Sequence, residues 1–150
     1  VIDTSSYNVH QLKEAIELHM QSPTSRRLQI LVQSFGFRYG VPANSDLVMD
    51  VRFLPNPYFV EGLKDRTGED PLVADFVLER AETQEFIERL QDLVAWLLPL
   101  YVKEGKTYLT VSVGCTGGRH RSVAIAHQLA LFFRDLDYTV NLHHRDIHKE

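Results

Sequence analysis

The chain has 150 residues, of which 44% are hydrophobic and 24% are charged. This length and composition are typical of one globular domain with a full hydrophobic core, and they exclude disordered and fibrous classes. Sixteen Lys and Arg residues against 20 Asp and Glu residues give a formal net charge of -4. Because the protein is mildly acidic, any site for a polyanion has to be local.

The number of cysteines and the length of the apolar runs indicate the cellular compartment of the protein. The single cysteine cannot close an intramolecular disulfide bond, which favours a reducing compartment. The longest apolar run, residues 93–102, contains Pro99 and has half of the ~20 residues that a membrane helix needs. The start shows no signal-peptide pattern, and residue 1 is Val rather than Met. These features predict a segment of a longer cytoplasmic protein without membrane association.

Hydrophobic periodicity predicts alternating strands and helices. Apolar residues at helical spacing predict a first helix over residues 9–20. Short apolar or β-branched runs predict four strands, over residues 28–34, 47–51, 108–113 and 139–142. Three further helices are predicted over residues 71–80, 83–103 and 120–135. This order predicts a single α/β domain whose mostly parallel sheet carries helices on both faces.

A strand, a glycine-rich turn and a helix start follow one another in residues 110–122. Ligands of open α/β sheets collect beyond the carboxyl ends of strands, where a helix N-terminus offers N–H groups to an anion. Glycines let the backbone wrap a phosphate, and basic side chains add charge. The turn contains both kinds of residue: Gly114, Gly117, Gly118, Arg119, His120 and Arg121. The segment therefore predicts a phosphate-binding loop, whose ligand is a phosphate compound or another anion such as sulfate.

The same residues admit an enzymatic interpretation. Cys115, Arg121 and Ser122 fit the Cys-x5-Arg-Ser/Thr pattern of cysteine phosphatases, in which a thiolate attacks phosphorus and an Asp protonates the leaving oxygen. Gly114 stands where those enzymes usually place a His. The candidate acids are Asp50, Asp65 and Asp70. The pattern leaves open a binding loop without turnover and a phosphatase that uses Cys115 and Arg121.

No metal site and no cofactor are predicted. His143, His144 and His148 gather near the C-terminus, but no cysteine or second cluster accompanies them. Lys106 lies in a Gly-Lys-Thr tripeptide that joins a helix to a strand, whereas a Walker A loop joins a strand to a helix. A third interpretation is an assembly module whose exposed apolar surface mediates self-association.

Four segments together carry a family resemblance. They are FGF at residues 35–37 with Gly40 and Pro42, DVRFLPNP at 50–57, Thr67-Gly68 with Asp70, and GCTGG at 114–118 followed by HRSV at 120–123. In this order they resemble the RapZ family of RNase adapters, which includes the YvcJ-like nucleotide-binding proteins. The resemblance covers the C-terminal domain of that family, over residues 8–150. Residues 1–7 are then the end of a preceding domain or a linker, and the family's Walker motifs belong to an N-terminal domain outside this chain.

The resemblance implies a non-catalytic regulatory domain. Its fold would be similar to the sugar-phosphate-binding half of phosphofructokinases. Its ligand would be the amino-sugar phosphate glucosamine-6-phosphate, and its partners a small regulatory RNA and an endoribonuclease to which the RNA is handed. The two ligands would compete, and the full-length protein would be a homo-oligomer.

The resemblance also implies residue roles. The loop would hold the phosphate, and Arg52 with Asn56 would contact the sugar. The full ligand set is Arg52, Asn56, Cys115, Thr116, Gly117, Gly118, His120, Arg121 and Ser122. The RNA set is Arg38, Arg119, Arg121, Arg145 and Lys149. Because the tail over residues 141–150 is not strongly basic, we expect weak and salt-sensitive RNA binding. His120 is expected to be a pH-sensitive contact, since histidine titrates near neutral pH.

Overall fold

The computed structural model describes residues 28–149. Within this range the strands are β1 (Gln29–Gly36), β2 (Leu47–Asp50), β3 (Tyr108–Cys115) and β4 (Thr139–His144). The α-helices of the same range are α1 (Pro71–Leu78), α2 (Ala81–Glu104) and α3 (Arg121–Asp135), and short 3-10 helices cover Phe37–Tyr39 and Pro57–Phe59. The helix predicted over residues 9–20 and the domain boundary predicted after residue 7 lie outside the described residues.

All four strands pair in parallel, in the order β2-β3-β1-β4. The α/β class and the parallel sheet are therefore confirmed. The central strands β1 and β3 read as apolar runs because both of their faces are largely covered. Both also extend beyond their predicted ends, since Gly36 pairs with Cys115 in the same register as the rest of the ladder. The prediction that Gly114 lies in a turn is therefore wrong.

The main core lies between one face of the sheet and the three helices. The sheet contributes Ile30 and Val111 to this core, among other residues. The helices α1, α2 and α3 contribute Val77, Val94 and Phe133, respectively. The connections from β2 to β3 and from β3 to β4 run in the same direction across the sheet. Right-handed crossovers in one direction place their helices on one face. Within residues 28–149 the helices therefore cover one face of the sheet, whereas helices on both faces were predicted.

None of the helices in residues 28–149 is long and apolar enough to cross a membrane.

The second face of the sheet carries polar residues at its carboxyl end, where the loop of residues 37–46 covers it. Gln33 donates hydrogen bonds to Asn44 Oδ1 at 3.1 Å and to Ser112 Oγ at 3.0 Å. The hydroxyls of Ser45 and Ser112 are 2.6 Å apart. Because these buried polar groups are hydrogen-bonded, they fix the loop on the sheet instead of destabilising it. The same loop carries Arg38 toward the site.

Candidate anion-binding site

Four loops meet at the carboxyl edge of the sheet and enclose a cavity of about 520 Å³. They follow β1, β2, β3 and β4, and they contribute Arg38, Asn56, Thr116 and Lys149, respectively, to its lining. Parallel strands bring all their carboxyl ends to one edge, and ligand sites of open α/β sheets lie there. The predicted loop therefore lies at the place where this fold binds ligands.

The glycine loop touches the end of β1 through its backbone. Gly118 has a φ of 79°, and a side chain on it would lie 2.6 Å from the backbone nitrogen of Gly36. Only glycine tolerates both this conformation and this close approach. The N–H groups of residues 117–120 donate no hydrogen bond to another described residue, and α3 begins at Arg121. Free loop amides beside a helix N-terminus form a site for an anion.

Arg121 is the deepest cationic group of the lining, with an exposed fraction of 4%. Its Nη1 donates to the carbonyl oxygens of Arg52 at 2.7 Å and Leu54 at 3.1 Å, and its Nη2 donates to Thr116 Oγ1 at 3.3 Å. Its Nε has no hydrogen-bond partner within the described residues. Burial lowers the pKa of Arg121, and neighbouring Cys115 opposes this change. An arginine stays protonated in a protein, so Arg121 places a fixed positive charge at the cavity, while its Nε is buried from solvent.

Cys115 lines the cavity from the last position of β3, and only 2% of it is exposed. Its sulfur is 3.1 Å from the hydroxyl oxygen of Ser122. Ser122 itself is fully buried and does not line the cavity, nor does Gly118. These two residues of the predicted ligand set therefore support the loop from behind, whereas Cys115, Thr116 and Gly117 face the cavity.

His120 joins the glycine loop to the loop of residues 60–70. Its Nε2 is 3.0 Å from the carbonyl oxygen of Lys64, and the N–H of Gly68 donates to the carbonyl oxygen of Arg119 at 2.7 Å. Burial lowers the pKa of His120 below 6.5, and the charges of Arg119 and Arg121 lower it further, against the backbone carbonyls that raise it. His120 is therefore mainly neutral at pH 7 and titrates in a more acidic range than an ordinary histidine.

Cationic side chains from three loops surround the cavity, in a chain whose formal net charge is -4. They are Arg38, Arg119, Arg121 and Lys149. Four of the five residues of the predicted RNA set thus share one cavity with six of the nine residues of the predicted ligand set. The fifth, Arg145, instead donates to Asp146 at 2.8 Å and to the carbonyl oxygen of Gly40 at 2.7 Å.

The two residues expected at the sugar are placed differently. Asn56 lines the cavity, and its Oδ1 accepts a hydrogen bond from the N–H of Tyr58 at 3.0 Å. Arg52 does not line it, because its guanidinium is paired with Asp50 at 2.6 Å and lies 3.9 Å above the ring of Phe37. The hydrogen bond from Arg52 lowers the pKa of Asp50. The carbonyl oxygen of Arg52 serves the site by holding Arg121.

Of the three candidate acids, Asp65 lines the cavity. Asp70 caps the start of α1 by accepting from Leu72 N at 2.9 Å, and it pairs with Arg66 at 2.8 Å. Hydrogen bonds from Arg66 and from the Leu72 N–H lower the pKa of Asp70. Within the described residues no group of three or more His, Cys, Asp or Glu side chains is arranged to hold a metal ion.

Sequence reasoning missed three residues of the site. Tyr58 and Phe59 line the cavity as exposed aromatic rings, 5.3 Å apart between centroids. Two adjacent aromatic residues in a proline-bounded loop are a signal that could have identified them. Asp146 is fully buried behind the lining, and nothing in the tail sequence marks it.

Comparison with known proteins gives one consistent family. The family model described as "RapZ C-terminal domain" matches residues 28–148. A protein named nucleotide-binding protein from Geobacter sulfurreducens is 57% identical over 150 residues, which cover 99% of this chain and 53% of that protein. A similarly named protein from Myxococcus xanthus is 54% identical, over 100% of this chain and 52% of its own length. The chain thus spans about half the length of the curated relatives that it matches. It belongs to the RapZ C-terminal domain family.

Proposed function

We propose that this chain is a non-catalytic domain that binds glucosamine-6-phosphate in the cavity and, as an adapter, presents a small regulatory RNA to an endoribonuclease. Membership of the RapZ C-terminal domain family supports the regulatory character of the domain. The observation that carries the ligand proposal is that one cavity is lined by the fixed charge of Arg121, which is almost fully buried, and by the glycine loop, whose N–H groups at residues 117–120 have no partner among the described residues.

The phosphate of the ligand belongs at this deep end. A phosphate group accepts several charge-assisted hydrogen bonds, and guanidinium and loop amides supply them in a preformed arrangement. Thr116 Oγ1 is already held at 3.3 Å from Arg121 Nη2. Because the donors are fixed before binding, little conformational entropy is lost when the phosphate enters.

The rest of the cavity is large enough for a sugar. A volume of about 520 Å³ lies within the ~300–1,000 Å³ range of small-molecule sites. Asn56 and Asp65 offer polar groups to hydroxyls, and the ring of Tyr58 offers an apolar face. This mixture favours a sugar phosphate over inorganic phosphate.

The adapter half of the proposal rests on the cations at the rim. Arg38, Arg119 and Lys149 extend the positive charge outward from Arg121. RNA backbones bind such groups through their phosphates, with affinity that falls as salt rises. Since both ligands would use Arg121 and its neighbours, glucosamine-6-phosphate should displace RNA from the domain. A gel shift at two salt concentrations, with and without the sugar phosphate, checks this expectation.

Calorimetric titration tests the ligand proposal directly. Glucosamine-6-phosphate should bind saturably, while glucosamine and inorganic phosphate should bind much more weakly. Arg121→Ala should weaken binding about tenfold or more, because a charge-assisted hydrogen bond is lost. Arg134→Ala, which removes an exposed cation from α3, is the control.

Arg121 also supports the carbonyl oxygens of Arg52 and Leu54, so urea unfolding must accompany the titration. Wild-type affinity in a folded Arg121→Ala variant would contradict the role of Arg121. Absence of binding by the wild-type domain would overturn the ligand proposal itself.

A cysteine phosphatase is the second candidate, favoured by the presence of Cys115, Arg121 and Asp65 in one cavity. Against it, a side chain at Gly114 would collide with the rings of Phe35 and Phe37, so the histidine usual in those enzymes has no room. Hydrolysis of an aryl phosphate, abolished in Cys115→Ser, would establish the enzyme. Our proposal expects no turnover in either protein.

A further inference from the structure

We propose that Asp65 selects ligands that carry a positive amine beside their phosphate and disfavours ligands with a second phosphate. This inference rests on the proposed function, because it assigns a specificity residue to the same cavity. Asp65 is the acidic residue among the described residues that line it, and the same lining contains Arg38, Arg119, Arg121 and Lys149.

The backbone that carries Asp65 is fixed to the phosphate loop. The carbonyl oxygen of Asp65 accepts from Arg119 Nη2 at 3.4 Å, and the carbonyl oxygen of Lys64 accepts from His120 at 3.0 Å. The N–H of Gly68 donates to Arg119 O at 2.7 Å. Three hydrogen bonds therefore hold the residue at a set distance from the deep anion site.

Its carboxylate has no ion-pair partner within the described residues, although three cationic side chains besides Arg121 share the lining. Lys149 is paired with Asp146 at 2.7 Å instead. A carboxylate left unpaired in a cationic cavity is available to a ligand. The group that satisfies it is an ammonium, which donates hydrogen bonds and carries the opposite charge.

The same carboxylate acts against the wrong ligand. A compound with two phosphates would satisfy more of the cations, but it would bring its second phosphate toward Asp65, and like charges repel. Selection by a repulsive group is a common route to specificity. The cavity thus matches one phosphate and one amine, as in an amino-sugar phosphate, better than a diphosphate.

Asp65→Asn tests this proposal, with Glu61→Gln as a control that removes one negative charge from the same loop outside the lining. Calorimetry compares glucosamine-6-phosphate, glucose-6-phosphate and fructose-1,6-bisphosphate on the wild-type domain and both variants. Because Asp65 is exposed, we expect a change of about fivefold in the preference for the amine over the hydroxyl. Asp65→Asn should bind glucosamine-6-phosphate more weakly, glucose-6-phosphate as before and the bisphosphate more tightly.

Equal changes for all three ligands in Asp65→Asn, or the same changes in Glu61→Gln, would overturn the selectivity role while leaving the proposed function intact. If the wild-type domain binds none of the sugar phosphates, the proposed function fails. A comparison of 2-aminoethyl phosphate with ethyl phosphate then decides the inference by itself. Preference for the amine that Asp65→Asn removes supports the inference, and no preference overturns it.

Discussion

At the residue scale, Asp146 supports the site without lining it. Its carboxylate accepts from the N–H of Gly36 at 2.8 Å, from Arg145 Nη2 at 2.8 Å and from Lys149 at 2.7 Å. Burial raises the pKa of Asp146, but the hydrogen bonds from Arg145, Gly36 and Lys149 outweigh burial and lower this pKa to about 2. One buried carboxylate therefore fixes the end of β1 and a cation at the rim of the cavity.

Asp146→Asn should lower the free energy of unfolding at pH 7 by about 2 kcal/mol, because Arg145 and Lys149 lose the carboxylate with which they pair. The carboxylate stabilises the fold above its unfolded pKa of 3.8, and this contribution is lost as the pH falls toward about 2. Urea unfolding of both proteins from pH 7 to pH 3 measures the effect. The difference between wild type and variant should shrink at the acid end, and a difference that is constant with pH would refute this explanation.

Site residues were predictable from the sequence where they lie close together along the chain. Cys115, Thr116 and Arg121 were recognisable because they lie in one contiguous strand-turn-helix segment. Asp146 was not recognisable, because its partner Gly36 lies 110 residues away in sequence. The pairing of Arg52 with Asp50, two residues earlier, was likewise not anticipated from the sequence.

At the element scale, the site depends on contact between the loop of residues 60–70 and the start of α3. Gly68 is buried there, and a Cβ at this position would collide with the carbonyl oxygen of His120 and with Val123. The polar composition of this loop gave no sign of the contact. Strands and helices were predictable from local periodicity, whereas a wall built by a turn-rich segment depends on tertiary packing alone.

Gly68→Ala should therefore separate the two loops, and we expect about tenfold weaker binding of glucosamine-6-phosphate together with a loss of 1–3 kcal/mol in stability, about the usual cost of overpacking. Gly62→Ala is the matched control. Alanine is unfavourable at Gly62 because of its φ of 88°, but a Cβ at Gly62 meets no atom within 4 Å, so this variant leaves the contact between the loops in place. Calorimetry and urea unfolding distinguish them. If the two variants bind equally, contact between the loops is not needed for the site.

At the scale of the whole molecule, a parallel sheet explains how an acidic chain forms a cationic site. The net charge is -4, yet all four loops that line the cavity begin at one edge of the sheet. Three of these loops bring the cations of the site together: Arg38, Arg119, Arg121 and Lys149. The sequence predicted this edge, because strand-helix alternation implies parallel strands. It did not predict that the described helices share one face. That outcome depends on strand order, which periodicity along the chain does not specify.

Buried His120 and half-buried His144 make the stability of the whole domain depend on pH. Burial lowers the pKa of His144, whose Nδ1 is 2.7 Å from Ser34 Oγ, and it lowers the pKa of His120 as well. Such groups bind fewer protons in the folded state than in the unfolded state when the pH is near or below their unfolded pKa of 6.5. The free energy of unfolding should therefore fall as the pH decreases below 6.5, by at most about 1.4 kcal/mol per pH unit for each histidine.

Replacement of His144 isolates one of these contributions. His144→Gln should show a shallower loss of stability between pH 7 and pH 5 than the wild-type domain, because no proton is taken up at this position on unfolding. His148→Gln, which changes an exposed histidine in the same tail, should keep the wild-type slope. Urea unfolding at half-unit pH intervals gives both slopes. Parallel slopes for wild type and His144→Gln would contradict this role of His144.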